Sequence, residues 1–266
     1  MGQSCEVYRL GLIPYEQGWQ MQNALAMEIA AGARPPTLLL LEHPHSFTFG
    51  RRGKIDHLLW DEVELARRNI VVHWVDRGGD VTYHGPGQLV GYPLLPLEAD
   101  NFTASSLPVE QPALPMRDYV GYVRRLEKML IAALASLGVV ARQIEGLTGV
   151  WVNGNRQTMP RGWQTTDAHL PHAVSHPQYT KLAAIGVKVD ARGVSRHGFA
   201  LNVCPDMSYW QGIVGCGLKD YPAISLAELL NTPPTMAQVM DAIVTAFGVI
   251  FGYEMIHRQR IGDSLP

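Results

Sequence analysis

Between two predicted strands the chain reads Arg77-Gly-Gly-Asp-Val-Thr-Tyr-His-Gly-Pro-Gly-Gln-Leu-Val90. Four glycines fall within its first 11 residues, and a residue without a Cβ lets the backbone come close to a ligand. No Gly-Lys-Ser/Thr follows, so this is not a Walker loop, and a strand rather than a helix comes next, which excludes a Rossmann turn. A glycine-rich hairpin that binds no ligand is the alternative interpretation of this stretch. Arg77, Tyr83, His84 and Gln88 nevertheless favour a binding loop, because loops carry functional side chains.

Strands and helices alternate irregularly around this loop. Apolar segments typical of strands are residues 5–11, 37–41, 70–75, 88–95, 139–153 (as two short strands), 181–189 and 196–203. Helices are predicted from Pro14, over 60–69 and 117–137, and from a capping box at Thr235 through Phe251. No repeat and no regular βαβ alternation is present, which indicates a mixed α+β fold. We expect a single catalytic domain over 1–266, with loop inserts at about 98–115 and 154–180, where prolines and polar residues interrupt the apolar pattern.

Composition excludes several classes of protein. The formal net charge of −2 lacks the basic excess of nucleic-acid or anionic-membrane binding. No apolar run approaches the roughly 20 residues of a membrane helix, and no secretory signal is visible. The three cysteines, Cys5, Cys204 and Cys216, form no CxxC pair and fit a reducing cytoplasm. We therefore expect a cytoplasmic protein without nucleic-acid or membrane contacts, and we assign no metal: the tract His169, His172 and His176 is interpreted as a solvated loop.

Three later stretches place one reactive or polar side chain beside small residues. Lys181 begins an apolar strand, where a surface lysine is the ordinary interpretation. His197 enters an apolar strand beside Gly198, a sign of close backbone approach, and a hydrogen-bonded core histidine is the ordinary interpretation there. Cys216 lies between two glycines on a turn. A nucleophilic cysteine needs solvent access and a nearby cation. The flanking glycines supply the access, but the sequence alone does not identify the cation. An inert, buried thiol is therefore the alternative interpretation of Cys216.

As an ordered set, these stretches resemble the octanoyltransferase family of lipoate biosynthesis, also called lipoate-protein ligase B. The matching motifs are Leu40-Leu-Glu-His-Pro44, Phe49-Gly-Arg-Arg-Gly53, Arg77–Gln88, Gly146-Leu-Thr-Gly-Val-Trp151, Lys181–Gly186, His197–Asn202 and Cys216-Gly217. Each motif by itself has little specificity for the family, whereas the ordered set is specific. The resemblance covers about residues 7–230. The chain departs from the family at Gly215, where a proline is usual, and in the length of both inserts.

The resemblance implies a mixed β-sheet flanked by helices, similar to the catalytic core of biotin and lipoate protein ligases. It implies a catalytic dyad of Cys216 and Lys181. Cys216 would take the octanoyl group from the phosphopantetheine thioester of octanoyl-acyl carrier protein. The acyl-enzyme would pass it to a lysine of a lipoyl domain, in 2-oxoacid dehydrogenase E2 subunits or the glycine cleavage H protein. Lys181 as ammonium would favour the thiolate and later act as base. No ATP and no cofactor beyond the donor's phosphopantetheine are implied.

The resemblance also assigns the substrate site. The matched positions are Arg77, Gly78, Gly79, Asp80, Val81, Thr82, Tyr83, His84, Ala184, Ile185, Gly186, His197, Gly198, Phe199 and Ala200. The small residues among them leave room for an apolar slot, in which half a dozen methylenes gain about 5 kcal/mol of gross burial. Backbone N–H groups near Gly217 or in the glycine-rich loop would stabilise the oxyanion, and His84 would hold or polarise the site.

Three other functions are also compatible with the sequence. An ATP-dependent lipoate or biotin ligase on the same fold would need a nucleotide site and would not need Cys216. A cysteine hydrolase would use Cys216 with His197 or His84 and would release free octanoate. A non-enzymatic acyl-binding protein would keep Cys216 as an inert thiol.

Overall fold

The computed structural model describes residues 3–97, 119–154, 179–218 and 221–259. The two predicted inserts lie almost entirely outside these residues, as does the histidine tract. The strands are β1 (Ser4–Leu12), β2 (Thr37–Glu42), β3 (Ser46–Phe49), β4 (Val71–Trp74), β5 (Val81–His84), β6 (Gln88–Leu94), β7 (Arg142–Ile144), β8 (Leu147–Asn153), β9 (Tyr179–Val189), β10 (Ser195–Asn202) and β11 (Glu254–Arg258). The helices are α1 (Tyr15–Ala30), α2 (Glu62–Arg67), α3 (Tyr119–Ser136), α4 (Leu226–Leu229) and α5 (Met236–Phe251).

Eight strands form one mixed sheet in the order β11-β1-β2-β6-β10-β9-β8-β7. β1 runs parallel to β2 and β11, and α1 is the crossover that a parallel β1–β2 pair requires. The remaining neighbours are antiparallel. A separate three-stranded sheet has the order β4-β3-β5. The prediction of an α+β fold with a mixed sheet flanked by helices is confirmed.

The apolar run of β2 explains how both faces of the large sheet are covered. Leu38 and Leu40 join the cluster that contains α3 and α5, whereas Leu39 and Leu41 join the cluster that contains α1. All four side chains are fully buried. Successive residues of a strand point to opposite faces, so a central strand with helices on both sides reads as a continuous apolar run.

Helix boundaries follow the predicted signals. α1 begins directly after Pro14. Thr235 caps α5 through a capping box with Gln238, and Gly252 ends the helix at φ 75°. The predicted helix over 60–69 is shorter in the structure, where α2 spans Glu62–Arg67 behind an Asp61 cap.

Three strands were not predicted: β3, β5 and β11. β3 and β5 have four residues each, and β5 lies inside the glycine-rich stretch, where turn residues obscure it. β11 is half exposed and pairs only at the sheet edge with β1. Within the described ranges, no helix is both long and apolar enough to cross a membrane.

Candidate active site

A cavity of about 590 Å³ opens where the glycine-rich loop, β9, β10 and the cysteine turn meet. Cys216 and Lys181 both lie on its wall. The predicted substrate residues that line it are Arg77, Gly78, Gly79, Asp80, Thr82, His84, Ala184, Ile185, Gly186, His197, Gly198, Phe199 and Ala200. The fold therefore brings the four separate motifs to one site.

Val81 and Tyr83 were predicted in this site, and the structure places them elsewhere. Both are fully buried in the apolar cluster of Phe47, Phe49 and Ile213, behind the cavity wall. They belong to β5, whose side chains alternate between two faces, so Thr82 and His84 line the cavity while their neighbours face away. The side chains of Val81 and Tyr83 therefore do not line this cavity, and a role for the two residues in substrate binding stays a prediction.

The glycines of the site differ in what their missing side chains allow. A Cβ at Gly198 would overlap the Gly91 carbonyl oxygen, and one at Gly186 would lie 3.0 Å from Arg77 Cδ. These two glycines permit close packing of backbone and Arg77 rather than space for a ligand. A Cβ at Gly78 would meet only the Val187 carbonyl oxygen, at 3.4 Å. Gly78 is therefore the position where a small residue leaves open volume.

Cys216 sits in a tight turn, Gly215–Gly217, and is half-buried. Its φ of 56° is unusual for a residue with a side chain. Neighbouring backbone holds the turn: Val214 N–H donates to His57 O at 2.9 Å. Gly217 N–H donates to Val214 O at 3.0 Å, so this amide is engaged and the predicted oxyanion role does not suit it.

The glycine at 215, where the family usually has proline, has a local explanation. A Cβ at Gly215 would lie 2.9 Å from the Trp210 ring. Trp210 therefore occupies the space that a proline ring would need.

Lys181 is 6% exposed, so the interpretation as a surface lysine is wrong. Its Nζ lies 4.6 Å from the centre of the Trp151 ring, a cation–π distance. Its stem passes Gly149, where a Cβ would lie 3.3 Å from Lys181 Cε. The backbone N–H donates to Pro222 O at 2.9 Å. Among the described residues, no hydrogen-bond or ion-pair partner engages Nζ, which leaves the amine available to a reacting group.

Arg77 adds a second buried positive charge to the wall of the cavity that Cys216 lines. The guanidinium is buried and donates to Thr48 Oγ1 at 2.9 Å, to Thr48 O and to Gly78 O at 3.0 Å. Burial lowers the pKa of Arg77, while the anionic forms of nearby Tyr15 and Cys216 raise it. This cation lies within electrostatic range of the sulfur, whereas the resemblance had assigned the supporting positive charge to Lys181 alone.

Asp80 links the glycine-rich loop to the cysteine turn. One oxygen pairs with His57 Nδ1 at 2.5 Å, and the other accepts from Val81 N–H at 2.7 Å. A Cβ at Gly217, which has φ 68°, would lie 2.8 Å from the Asp80 carboxylate, so glycine is required there. Asp80 therefore lines the cavity as a positioning residue, with its carboxylate already engaged.

Two buried histidines form part of the cavity wall. His197 Nε2 pairs with Asp76 at 2.7 Å, which confirms the interpretation as a hydrogen-bonded core histidine. That bond, with help from Lys188 and Arg196, holds the pKa of Asp76 below its usual range. His84 Nδ1 donates to Gln88 Oε1 at 2.8 Å. Burial lowers the pKa of both histidines, His84 most strongly, so both rings stay neutral at neutral pH.

Several wall residues were not predicted as site residues from the sequence: Tyr15, Arg52, Lys54, His57, Tyr92, Val123, Leu147 and Thr148. Tyr15 and Tyr92 arrive from α1 and β6 through tertiary packing, which local patterns do not reveal. Arg52 belongs to the Phe49–Gly53 motif, and Leu147 and Thr148 belong to the Gly146–Trp151 motif, so these motifs could have identified them. Within the described residues, no group of three His, Cys, Asp or Glu side chains is placed to hold a metal ion.

Comparison with known proteins gives consistent matches. Residues 14–248 match the family model described as the lipoyl protein ligase A/B catalytic domain. An octanoyltransferase of Chloroflexus aggregans is 40% identical over 245 residues, covering 92% of this chain and 94% of the relative. An octanoyltransferase of Koribacter versatilis is 37% identical over 261 residues, covering 98% and 90%. In structure, the chain is similar to a bipartite lipoate protein ligase of Thermoplasma acidophilum, with a TM-score of 0.60, 15% identity, and coverage of 99% and 88%.

Proposed function

The chain belongs to the lipoyl protein ligase A/B catalytic-domain family and acts as an octanoyltransferase of lipoate biosynthesis, and we propose that it carries the octanoyl group as a thioester on Cys216 with Lys181 as its partner. The observation that carries this mechanism is the cavity wall itself, on which a half-buried cysteine and two buried cations, Lys181 and Arg77, lie together. A thiolate is the reactive form of cysteine, and nearby cations favour it.

In the first step, the Cys216 thiolate attacks the thioester carbonyl carbon of the donor, octanoyl-acyl carrier protein. A new carbon–sulfur bond forms, the bond to the phosphopantetheine sulfur breaks, and the leaving thiolate takes the proton of the Lys181 ammonium, which leaves Lys181 neutral for the second step. One thioester replaces another, so the step needs no ATP. The positive charges of Arg77 and Lys181 support the thiolate before attack.

In the second step, a lysine amine of a lipoyl domain attacks the Cys216 thioester. The acceptors we propose are the lipoyl domains of 2-oxoacid dehydrogenase E2 subunits and the glycine cleavage H protein. Lys181 suits the role of proton acceptor because its Nζ has no hydrogen-bond partner among the described residues. An amide forms, the carbon–sulfur bond breaks, and Cys216 returns to the thiolate.

The acyl chain fits the same cavity. A volume of about 590 Å³ lies within the range of ordinary small-molecule sites. Gly78, Ala184, Ile185, Phe199 and Ala200 give it apolar walls. Burial of about six methylenes contributes roughly 5 kcal/mol of gross stabilisation.

The competing functions have less support. A cysteine hydrolase would need a histidine base; both ring nitrogens of His84 already bond Gln88 and Thr48, and Nε2 of His197 bonds Asp76. The structural likeness to a lipoate-protein ligase A bound with ATP has 14% identity and shows the fold alone. The cytoplasmic location stays a prediction.

The test is octanoyl transfer from octanoyl-acyl carrier protein to a lipoyl domain without ATP. The wild-type chain should transfer, whereas Cys216→Ala should lose activity and Lys181→Ala should lose most of it. Cys204→Ala is the matched control, because that thiol is exposed and lies on neither cavity wall. Near-normal transfer by Cys216→Ala, or a requirement for ATP, would refute the proposal.

A further inference from the structure

A second cavity, of about 560 Å³, lies against the first. Cys216, Lys181 and Leu218 line both. The sulfur therefore stands on the wall between two chambers. If the octanoyl chain occupies the first, the thioester carbonyl remains open to approach from the second.

The walls of the second cavity are mainly apolar and come from the segments around the cysteine turn. The apolar members are Leu59, Met207, Trp210, Ile213, Val214, Leu218, Tyr221, Pro222 and Ala223. Two exposed carboxylates, Asp206 and Glu228, also line it. Among the described lining residues, Lys181 is the only cation.

The first cavity has the opposite balance of charge. Arg52, Lys54 and Arg77 line it, against the single carboxylate of Asp80, which is already paired with His57. An anionic group therefore suits the first cavity, and a cationic group suits the second.

We infer that the second cavity receives the lysine side chain of the acceptor domain, an inference that rests on the proposed function. A lysine has an apolar four-carbon stem and a cationic end. The carboxylates at the cavity wall would draw in the ammonium, and the apolar wall would take the stem. The donor's phosphopantetheine carries a phosphodiester anion, which the same carboxylates would repel.

This placement determines from which side the acceptor amine approaches the thioester in the second step. The amine reaches the thioester carbonyl beside Lys181, which takes the proton as the carbon–nitrogen bond forms and the carbon–sulfur bond breaks. The carboxylates thus act at entry, and Lys181 acts at the sulfur.

The charges of Asp206 and Glu228 can be removed without the loss of the hydrogen bonds that their side chains accept. Asp206 accepts from Ser208 N–H at 2.9 Å, and Glu228 accepts from Ser225 N–H at 3.0 Å in a capping box. Asparagine and glutamine can keep these caps. Asp206→Asn with Glu228→Gln therefore removes charge while the local structure stays. Ser208→Trp is the second variant and fills the cavity.

The experiment separates the two half-reactions. Octanoylation of Cys216 by octanoyl-acyl carrier protein is followed by intact mass, and delivery from the isolated acyl-enzyme is followed with increasing lipoyl domain. We expect the double amide variant to lower kcat/KM for the lipoyl domain by about threefold to tenfold, and Ser208→Trp to lower it further. Both should octanoylate Cys216 at the wild-type rate. Glu62→Gln, an exposed carboxylate on α2, is the control and should change neither step.

Two results would overturn the inference alone. Slower octanoylation of Cys216 in these variants, with normal delivery, would assign the second cavity to the donor. Normal rates of both steps in Ser208→Trp would show that neither substrate uses it. Failure of the wild-type chain to octanoylate Cys216 would overturn the proposed function itself, and this inference with it.

Discussion

Gly78 offers a direct test of where the acyl chain lies. It lines the first cavity, and a Cβ there would meet a single atom, the Val187 carbonyl oxygen at 3.4 Å. Its φ is not in the left-handed region, so a side chain adds no backbone strain. Gly78→Val should fill cavity volume that the end of the octanoyl chain would otherwise occupy.

The expected size follows from the methylenes displaced. Loss of burial for two methylenes at about 0.8 kcal/mol each costs about 1.6 kcal/mol, or about 15-fold in kcat/KM. A six-carbon donor should lose little. The assay is competition between octanoyl and hexanoyl carrier proteins for delivery to a lipoyl domain, with Gly78→Ala as an intermediate and Ala135→Leu, exposed on α3, as the control. An equal loss with both donors would refute the assignment of the chain to this cavity.

Two further predictions concern the support of the site. Gly149→Ala should cost about 1–3 kcal/mol of unfolding free energy, because φ is 127° and because the methyl would lie 2.7 Å from the Ala183 carbonyl oxygen. It should also slow transfer, because the methyl would lie 3.3 Å from Lys181 Cε. Gly138→Ala, also at a positive φ (80°) but in open space, should lose stability alone, as denaturant titration and transfer rates can show. Acidification from about pH 7 to about pH 5 should lower the unfolding free energy by about 2 kcal/mol through His43, whose pKa burial lowers to about 4 from 6.5. The unfolded chain binds that proton more strongly, so the unfolding free energy decreases as the pH is lowered. The lowered pKa of His84 contributes in the same direction. A His43→Gln variant whose stability depends on pH as in the wild type would contradict this prediction.

Patterns along the chain were enough to predict seven of the eight strands of the large sheet, all except β11, and the helices α1, α2, α3 and α5. The uninterrupted apolar run of β2 predicts a buried strand, and the capping box at Thr235 predicts the start of α5. Both predictions depend on local signals only, and the structure confirms both. β5 failed for a physical reason: four residues between glycines carry too short an alternation to be recognised. Without that strand, the sequence did not separate Val81 and Tyr83 from Thr82 and His84, the two β5 residues that line the cavity.

The site was predictable where motifs carried it and not where packing built it. Cys216 and Lys181 lie on one cavity wall, as the ordered motifs implied. The burial of Lys181 against Trp151 depends on the register of β8 with β9, which spacing does not reveal. The presence of the Arg77 charge within electrostatic range of the sulfur and the His57–Asp80 pair both depend on how distant segments pack together.

The decisive measurement is the chemical competence of an octanoyl group on Cys216. Octanoyl-acyl carrier protein is mixed with the wild-type chain, the acylated chain is isolated, and the modified residue is located by peptide mass spectrometry before a lipoyl domain is added. We predict one octanoyl group on Cys216 that passes to the acceptor lysine at least as fast as steady-state turnover. Transfer that proceeds while Cys216 stays unmodified, or an octanoyl–Cys216 species that the lipoyl domain does not discharge, would contradict the account.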